Sequence, residues 1–118
     1  MSIDLRPESD KLLVLRFQGV VPATEVAESQ QAAALMMARG KISILVLLDG
    51  FEGWQRGDTE KWGDTSFLAA YDDQVAKMAI VGEEKWRESV LLFAGVGIRR
   101  SPVRYFNDEP SARAWLAQ

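Results

Sequence analysis

The stretch Val46 to Trp54, VLLDGFEGW, is where this chain gathers side chains able to do chemistry. An apolar run ends on Asp49, Phe51 and Trp54 then appear among Gly50 and Gly53, and Glu52 and Asp58 add two further acids. Convergent carboxylates can hold magnesium or calcium, or share general acid and base work. The spacing of Asp49, Glu52 and Asp58 matches no calcium loop, so a solvated acidic face is the simpler reading, and no metal or cofactor is expected. Phe51 and Trp54, with Trp62 as a third wall and Asp49 at the rim, define a candidate mouth for a small apolar or amphipathic ligand. The competing reading is that these aromatics plug the domain's own core, since rings bury large areas.

Four other places invite a functional reading. Thr59 is the only hydroxyl in Gly50–Thr59, and a phosphate at a helix start would gain from the dipole and free amides. Asp58 and Glu60 flank it, however, and would repel the added charge; a threonine at a helix start also serves as a cap. Gly82 follows an apolar run and opens a helical pattern, but Glu83 and Glu84 would repel a phosphate there, and acids at a helix start complement the dipole. Gly95-Val96-Gly97 lacks a third glycine, because Arg100 stands in its place, so it is not a dinucleotide fingerprint. Arg99, Arg100 and Arg104 form a candidate site for an anionic group or an acidic partner, against the alternative that they pair with surface acids.

Composition removes whole classes of chemistry. The chain has no cysteine and no histidine. Thiolate nucleophiles, thiolate metal sites and disulfides are therefore excluded, and the usual base near neutral pH is missing. An enzyme would have to be built from carboxylates, Lys, Tyr or Arg, with Asp49 or Glu52 as the first candidates, and a non-enzymatic role is expected. Residues 49–75 hold seven acids against two bases, whereas residues 76–118 hold seven bases against five acids, within a net charge of −3. That balance offers no basic stripe for nucleic acid. An acidic middle followed by a basic end fits self-association, so a homodimer is expected. No apolar run approaches the length of a membrane span and no leader pattern opens the chain, so the expectation is a cytoplasmic protein.

A length of 118 residues predicts one domain over 1–118. Ile3 and Leu5 alternate with polar neighbours, and Lys11 to Gln18 form a second strand ended by Gly19. Pro22 and Thr24 open a helix carried by Val26, Ala33 and Met37 and closed by Gly40. Ile42 to Leu48 reads as a strand covered on both faces, followed by a turn and a helix from Thr59 to Ala70. Ala76 to Gly82 is the next strand, a helix runs from Glu83 towards Ala94, Val103 and Tyr105 alternate in a last strand, and Asn107 or Asp108 caps a final helix. The order β-β-α-β-α-β-α-β-α predicts an α/β domain: a mainly parallel central sheet, an antiparallel edge strand and helices on both faces.

LLDGFEGW at 47–54, KMAIVGEEKW at 77–86, VRYF at 103–106 and ARAWL at 112–116 together resemble the SpoIIAA-like proteins, over nearly the whole chain. These are small bacterial domains related in fold to the STAS domain of anti-sigma-factor antagonists and compared with the lipid-binding domain of Sec14-type proteins. The resemblance implies that fold, and a regulatory or binding role instead of a defined activity. The Asp-Ser-Ser-Gly type motif that carries the phosphorylated serine of STAS antagonists is absent, and Gly50–Thr59 stands in its place. The resulting expectation is a binding module taking a small apolar or lipid-like ligand, or a partner protein, at the carboxyl ends of its strands. A phospho-regulated interaction domain using Thr59 is the alternative.

Overall fold

Alternation along the second apolar run sorts its side chains between two faces. Leu13, Leu15 and Phe17 enter one core, and Val14, with Leu12 packed beside it, enters another. Arg16 follows on the second face by the two-residue period of a strand. The computed structural model describes residues 2–55, 71–94 and 100–118. Within them the strands are β1 (Ile3–Ser9), β2 (Leu12–Val21), β3 (Ile42–Trp54), β4 (Val75–Val81) and β5 (Val103–Phe106). The helices are α1 (Ala23–Met37), α2 (Arg87–Phe93) and α3 (Glu109–Leu116).

The strands form one five-stranded sheet in the order β1-β2-β3-β4-β5. β1 pairs antiparallel with β2, and each later pair is parallel. Pro7 lies within β1, where an edge strand has no outer ladder to lose. Because every parallel step moves in the same direction, right-handed crossovers carry the connecting helices to one face. Val26, Ala33 and Met37 of α1 and Val90 of α2 accordingly share a core with Leu15, Ile44 and Ile80. The terminal helix α3 covers the other face, where Ala112 joins Val14, Leu45, Leu47 and Ala79. The α/β class, the parallel sheet and the antiparallel edge strand are as the sequence predicts.

Two boundaries differ from the sequence reading. Gly19 does not end the second strand, since β2 continues to Val21. Asp49 to Trp54 is not a turn, since β3 runs through it. Gly19 pairs with Phe51, Val20 with Gly53 and Val21 with Trp54, with register shifts on both sides of Gly19. The extra residues lie on β3 as bulges, which bend a strand and increase its twist. Gly50 and Gly53 take φ values of 74° and 119° there, a region that side chains disfavour. The acidic, glycine-spaced stretch is thus the bulged end of a strand. A third difference is local: the chain after Gly82 makes a 3-10 turn at Glu84–Trp86 before α2 begins. The helix predicted from Thr59 to Ala70 lies outside the described residues.

α3 is held at both ends. Asp108 caps it, accepting from the Ser111 N–H at 2.8 Å. The Arg113 guanidinium donates to both carboxylate oxygens of Glu8 at 2.8 and 2.9 Å and to Glu109 at 2.7 Å, tying the helix to β1. At the other end Lys77 Nζ donates to the carbonyls of Trp115 and Gln118 at 2.9 and 3.0 Å. A cation at a helix carboxyl end satisfies carbonyls the helix itself leaves open. Together these contacts fix the start of α3 beside the ends of the strands.

Candidate functional site

A cavity of ≈ 550 Å³ opens at the carboxyl ends of β4 and β5, beside Leu47 to Asp49 of β3. β4 stops at Val81 and β5 at Phe106, while β3 goes on to Trp54. The gap left beside the longer strand is the crevice that open parallel sheets present at their carboxyl ends. Leu47, Leu48 and Val81 supply its apolar surface. Asp49, Glu83, Glu84 and Glu109 supply acids, with Arg16, Asn107 and Gly82 completing the lining. Arg16 Nη1 donates to Asp49 Oδ2 at 2.8 Å, bridging the neighbouring strands β2 and β3.

Gly82 is required by space. A Cβ there would lie 2.6 Å from Leu48 Cδ1, 2.6 Å from the Tyr105 hydroxyl and 3.0 Å from Leu48 Cβ. The Tyr105 hydroxyl donates to the Glu83 carbonyl at 2.6 Å. Burial, reinforced by the charges of Glu84 and Glu83, pushes its pKa up to about 12. The phenol therefore keeps its proton and acts as a fixed donor beneath the rim.

Of the five ligand-site residues picked from sequence, Asp49 and Gly82 line the cavity. Phe51 is 5% exposed and belongs to the core on the α1 and α2 side. Its ring centroid lies 4.9 Å from those of Trp54 and Trp86, both in edge contact, and 6.2 Å from Phe17. Trp54 is half-buried in the same cluster. The aromatics thus brace the bulged end of β3 from behind, which is the plug reading. Glu52 does not join Asp49 in the lining; its Oε2 lies 3.7 Å from where a Cβ on Gly19 would stand. Among the described residues, no three acids lie where they could hold a metal ion. Trp62, Asp58, Thr59 and Arg99 lie outside the described residues.

The remaining two arginines have separate partners. Arg100 Nη2 lies 2.8 Å from Asp73, and its backbone N–H donates to the buried Asp72 at 2.7 Å. Asp72 also accepts from the Ser101 hydroxyl at 2.6 Å, so this acid shapes the approach to β5. The Arg104 guanidinium stacks over Phe106 and Trp115, 5.1 and 5.6 Å from the ring centroids. Sequence reasoning passed over Arg16 and Glu109 and read Asn107 only as a strand end and a possible cap. Arg16 had a signal, a cation interrupting the apolar run LLVLRF, but its meeting with Asp49 depends on strand order.

A family model described as SpoIIAA-like matches residues 12–117, and the chain belongs to that family. Among solved structures it is similar to an uncharacterized DUF3478 protein with a SpoIIAA-like fold from Shewanella loihica PV-4. That match has a TM-score of 0.68 at 16% identity and covers 97% of this chain and 91% of the other. The anti-sigma factor antagonist SpoIIAA in its unphosphorylated form matches with a TM-score of 0.61 at 11% identity, covering 98% and 96%. The Bacillus cell fate determinant SpoIIAA in its phosphorylated form matches with a TM-score of 0.57 at 14% identity, covering 96% and 98%. At these identities the likeness is one of fold. No curated protein matches the sequence. Among the described residues no helix is long and apolar enough to cross a membrane.

Proposed function

We propose that this chain is a non-enzymatic binding and regulatory module whose ligand, a small amphipathic molecule or a side chain of a partner protein, enters the cavity at the carboxyl ends of β4 and β5, beside β3. The observation that carries this reading is the cavity itself, ≈ 550 Å³ with apolar walls from Leu47, Leu48 and Val81 and polar groups at its rim. That volume lies within the range of small-ligand sites, and the place is where α/β sheets bind. Its chemistry supports binding over catalysis. Asp49, the acid that β3 places in the lining, is engaged by Arg16, and the Tyr105 hydroxyl holds its proton. The fold shared with an anti-sigma factor antagonist supports the regulatory half of the proposal.

Native mass spectrometry of the protein purified from its own host tests the reading, with an Asn107→Trp variant alongside. Asn107 is exposed at the rim, so an indole there occupies the opening without disturbing the core. A co-purifying molecule or partner present with the parent chain and lost from the variant is the expected result. Retention of the same species by the variant refutes the cavity as the site. A covalent phosphate on Thr59 would move the proposal to a phospho-regulated domain.

A further inference from the structure

We infer that the cavity selects an alkyl cation, a primary ammonium or guanidinium on a short chain of methylenes; this rests on the reading that the cavity is the ligand site. The apolar surface and the charges occupy different parts of the lining. Leu47, Leu48 and Val81 offer contact to methylenes, whereas Glu83, Glu84 and Glu109 stand at the edge with Asp49. Among the described residues the one cation in the lining is Arg16, which is already bonded to Asp49. An anionic ligand would share Arg16 with Asp49 while facing three further carboxylates. An ammonium meets an attractive field that low-dielectric walls concentrate.

The cations that balance the three glutamates stand outside the lining. Lys85 lies 3.5 Å from Glu83 and Arg87 3.5 Å from Glu84, both pairs between exposed side chains. Long exposed pairs of this kind hold weakly, so an entering ammonium displaces them at little cost. Arg113 grips Glu109 at 2.7 Å, but from the side that faces Glu8. The start of α3 offers no free welcome to an anion either, because Asp108 occupies its capping position. Apolar wall and acidic edge together fit a chain with a positive end. The same chemistry is carried by a free polyamine and by a lysine or arginine side chain of a partner protein.

The test titrates the full chain with butylamine, butanol and butyrate, matched in length, following the backbone amide resonances of Leu48, Asp49 and Gly82. Butylamine should shift them, the other two at equal concentration should not, and added salt should weaken the effect. Glu84→Gln should weaken butylamine binding by up to about fivefold, the equivalent of about 1 kcal/mol for an exposed ion pair. Butanol or butyrate shifting these amides in place of butylamine overturns the inference while leaving the cavity as the site. No shift with any of the three overturns it as well, and the Asn107→Trp mass experiment decides separately whether the cavity reading falls too. Spermidine and an acetylated lysine-bearing peptide then name the source: tighter binding by the first supports a free polyamine, tighter binding by the second a partner side chain.

Discussion

Replacing Gly82 by alanine sets a methyl group into space already filled from two sides. The new Cβ would stand 2.6 Å from Leu48 Cδ1, 2.6 Å from the Tyr105 hydroxyl and 3.0 Å from Leu48 Cβ. The leucine tip can rotate, but its Cβ is fixed by β3, and the tyrosine hydroxyl is held by its bond to the Glu83 carbonyl. Overpacking of a tight site costs about 1–3 kcal/mol. If the phenol yields, its hydrogen bond adds about 1 kcal/mol to the loss. Gly82→Ala should therefore destabilise the fold by about 2–3 kcal/mol, lowering the urea midpoint by roughly 1 M or more for a small domain. Tyr105→Phe alone should cost about 1 kcal/mol, and the double variant should cost less than the sum, because the hydroxyl is one of the two obstacles. Equilibrium urea unfolding of the four proteins reads this directly. A neutral Gly82→Ala, or additivity within about 0.5 kcal/mol in the cycle, would refute the argument that close approach demands this glycine.

Phe51→Ala should cost about 3–5 kcal/mol, the range for a buried phenylalanine, and should change the fluorescence of Trp54 and Trp86, whose rings it touches; a variant with unaltered stability would place the ring outside the core. For Tyr105 the folded chain holds the proton more tightly than the unfolded one, with a pKa raised from 10.0 to about 12. Its contribution to stability is thus complete below pH 10.0 and is lost as the pH rises through about 12, which urea unfolding across that range and a tyrosinate absorbance titration in Tyr71→Phe background should show. Glu8 behaves in the opposite sense: the Arg113 hydrogen bond holds its carboxyl below the usual 4.5, so its contribution is present above that pH and disappears as the pH falls further. Carboxylate NMR should find a midpoint under 4.5 that Arg113→Met restores.

The parts of the fold that periodicity encodes were legible in the sequence. Leu13, Leu15 and Phe17 alternate as a strand must, and Val26, Ala33 and Met37 repeat as a helix must; the structure buries them together. Asp108 before Pro110 announced a helix start, and its carboxylate does cap α3. The reading failed where a local signal had two meanings. Glycines at 19, 50 and 53 look like turns, but two parallel strands that carry them in step can use them as bulges. Nothing within either segment alone says that the other lies alongside. The candidate site shows the same limit. Asp49 was conspicuous, yet Arg16 lies thirty-three positions away, and Glu109 belongs to a helix whose place at the cavity depends on its packing against the sheet through Ala112.

The same bulges explain why a cavity exists at this end of the sheet. Had β3 stopped at Leu48 as β4 stops at Val81, the two strand ends would be level. Instead β3 continues beside β2 alone, its inner side held by the Phe51, Trp54 and Trp86 rings. Its other edge, released from β4 after Leu47, leaves Leu48 and Asp49 facing the space above Gly82. Phe51 and Trp54 thus lie behind the site, against the core, and on the proposed reading the residues that would meet a ligand are those lining the cavity. Substitutions in the aromatic cluster should accordingly be read first as stability changes, and substitutions at Asn107, Glu83 and Glu84 as changes in binding.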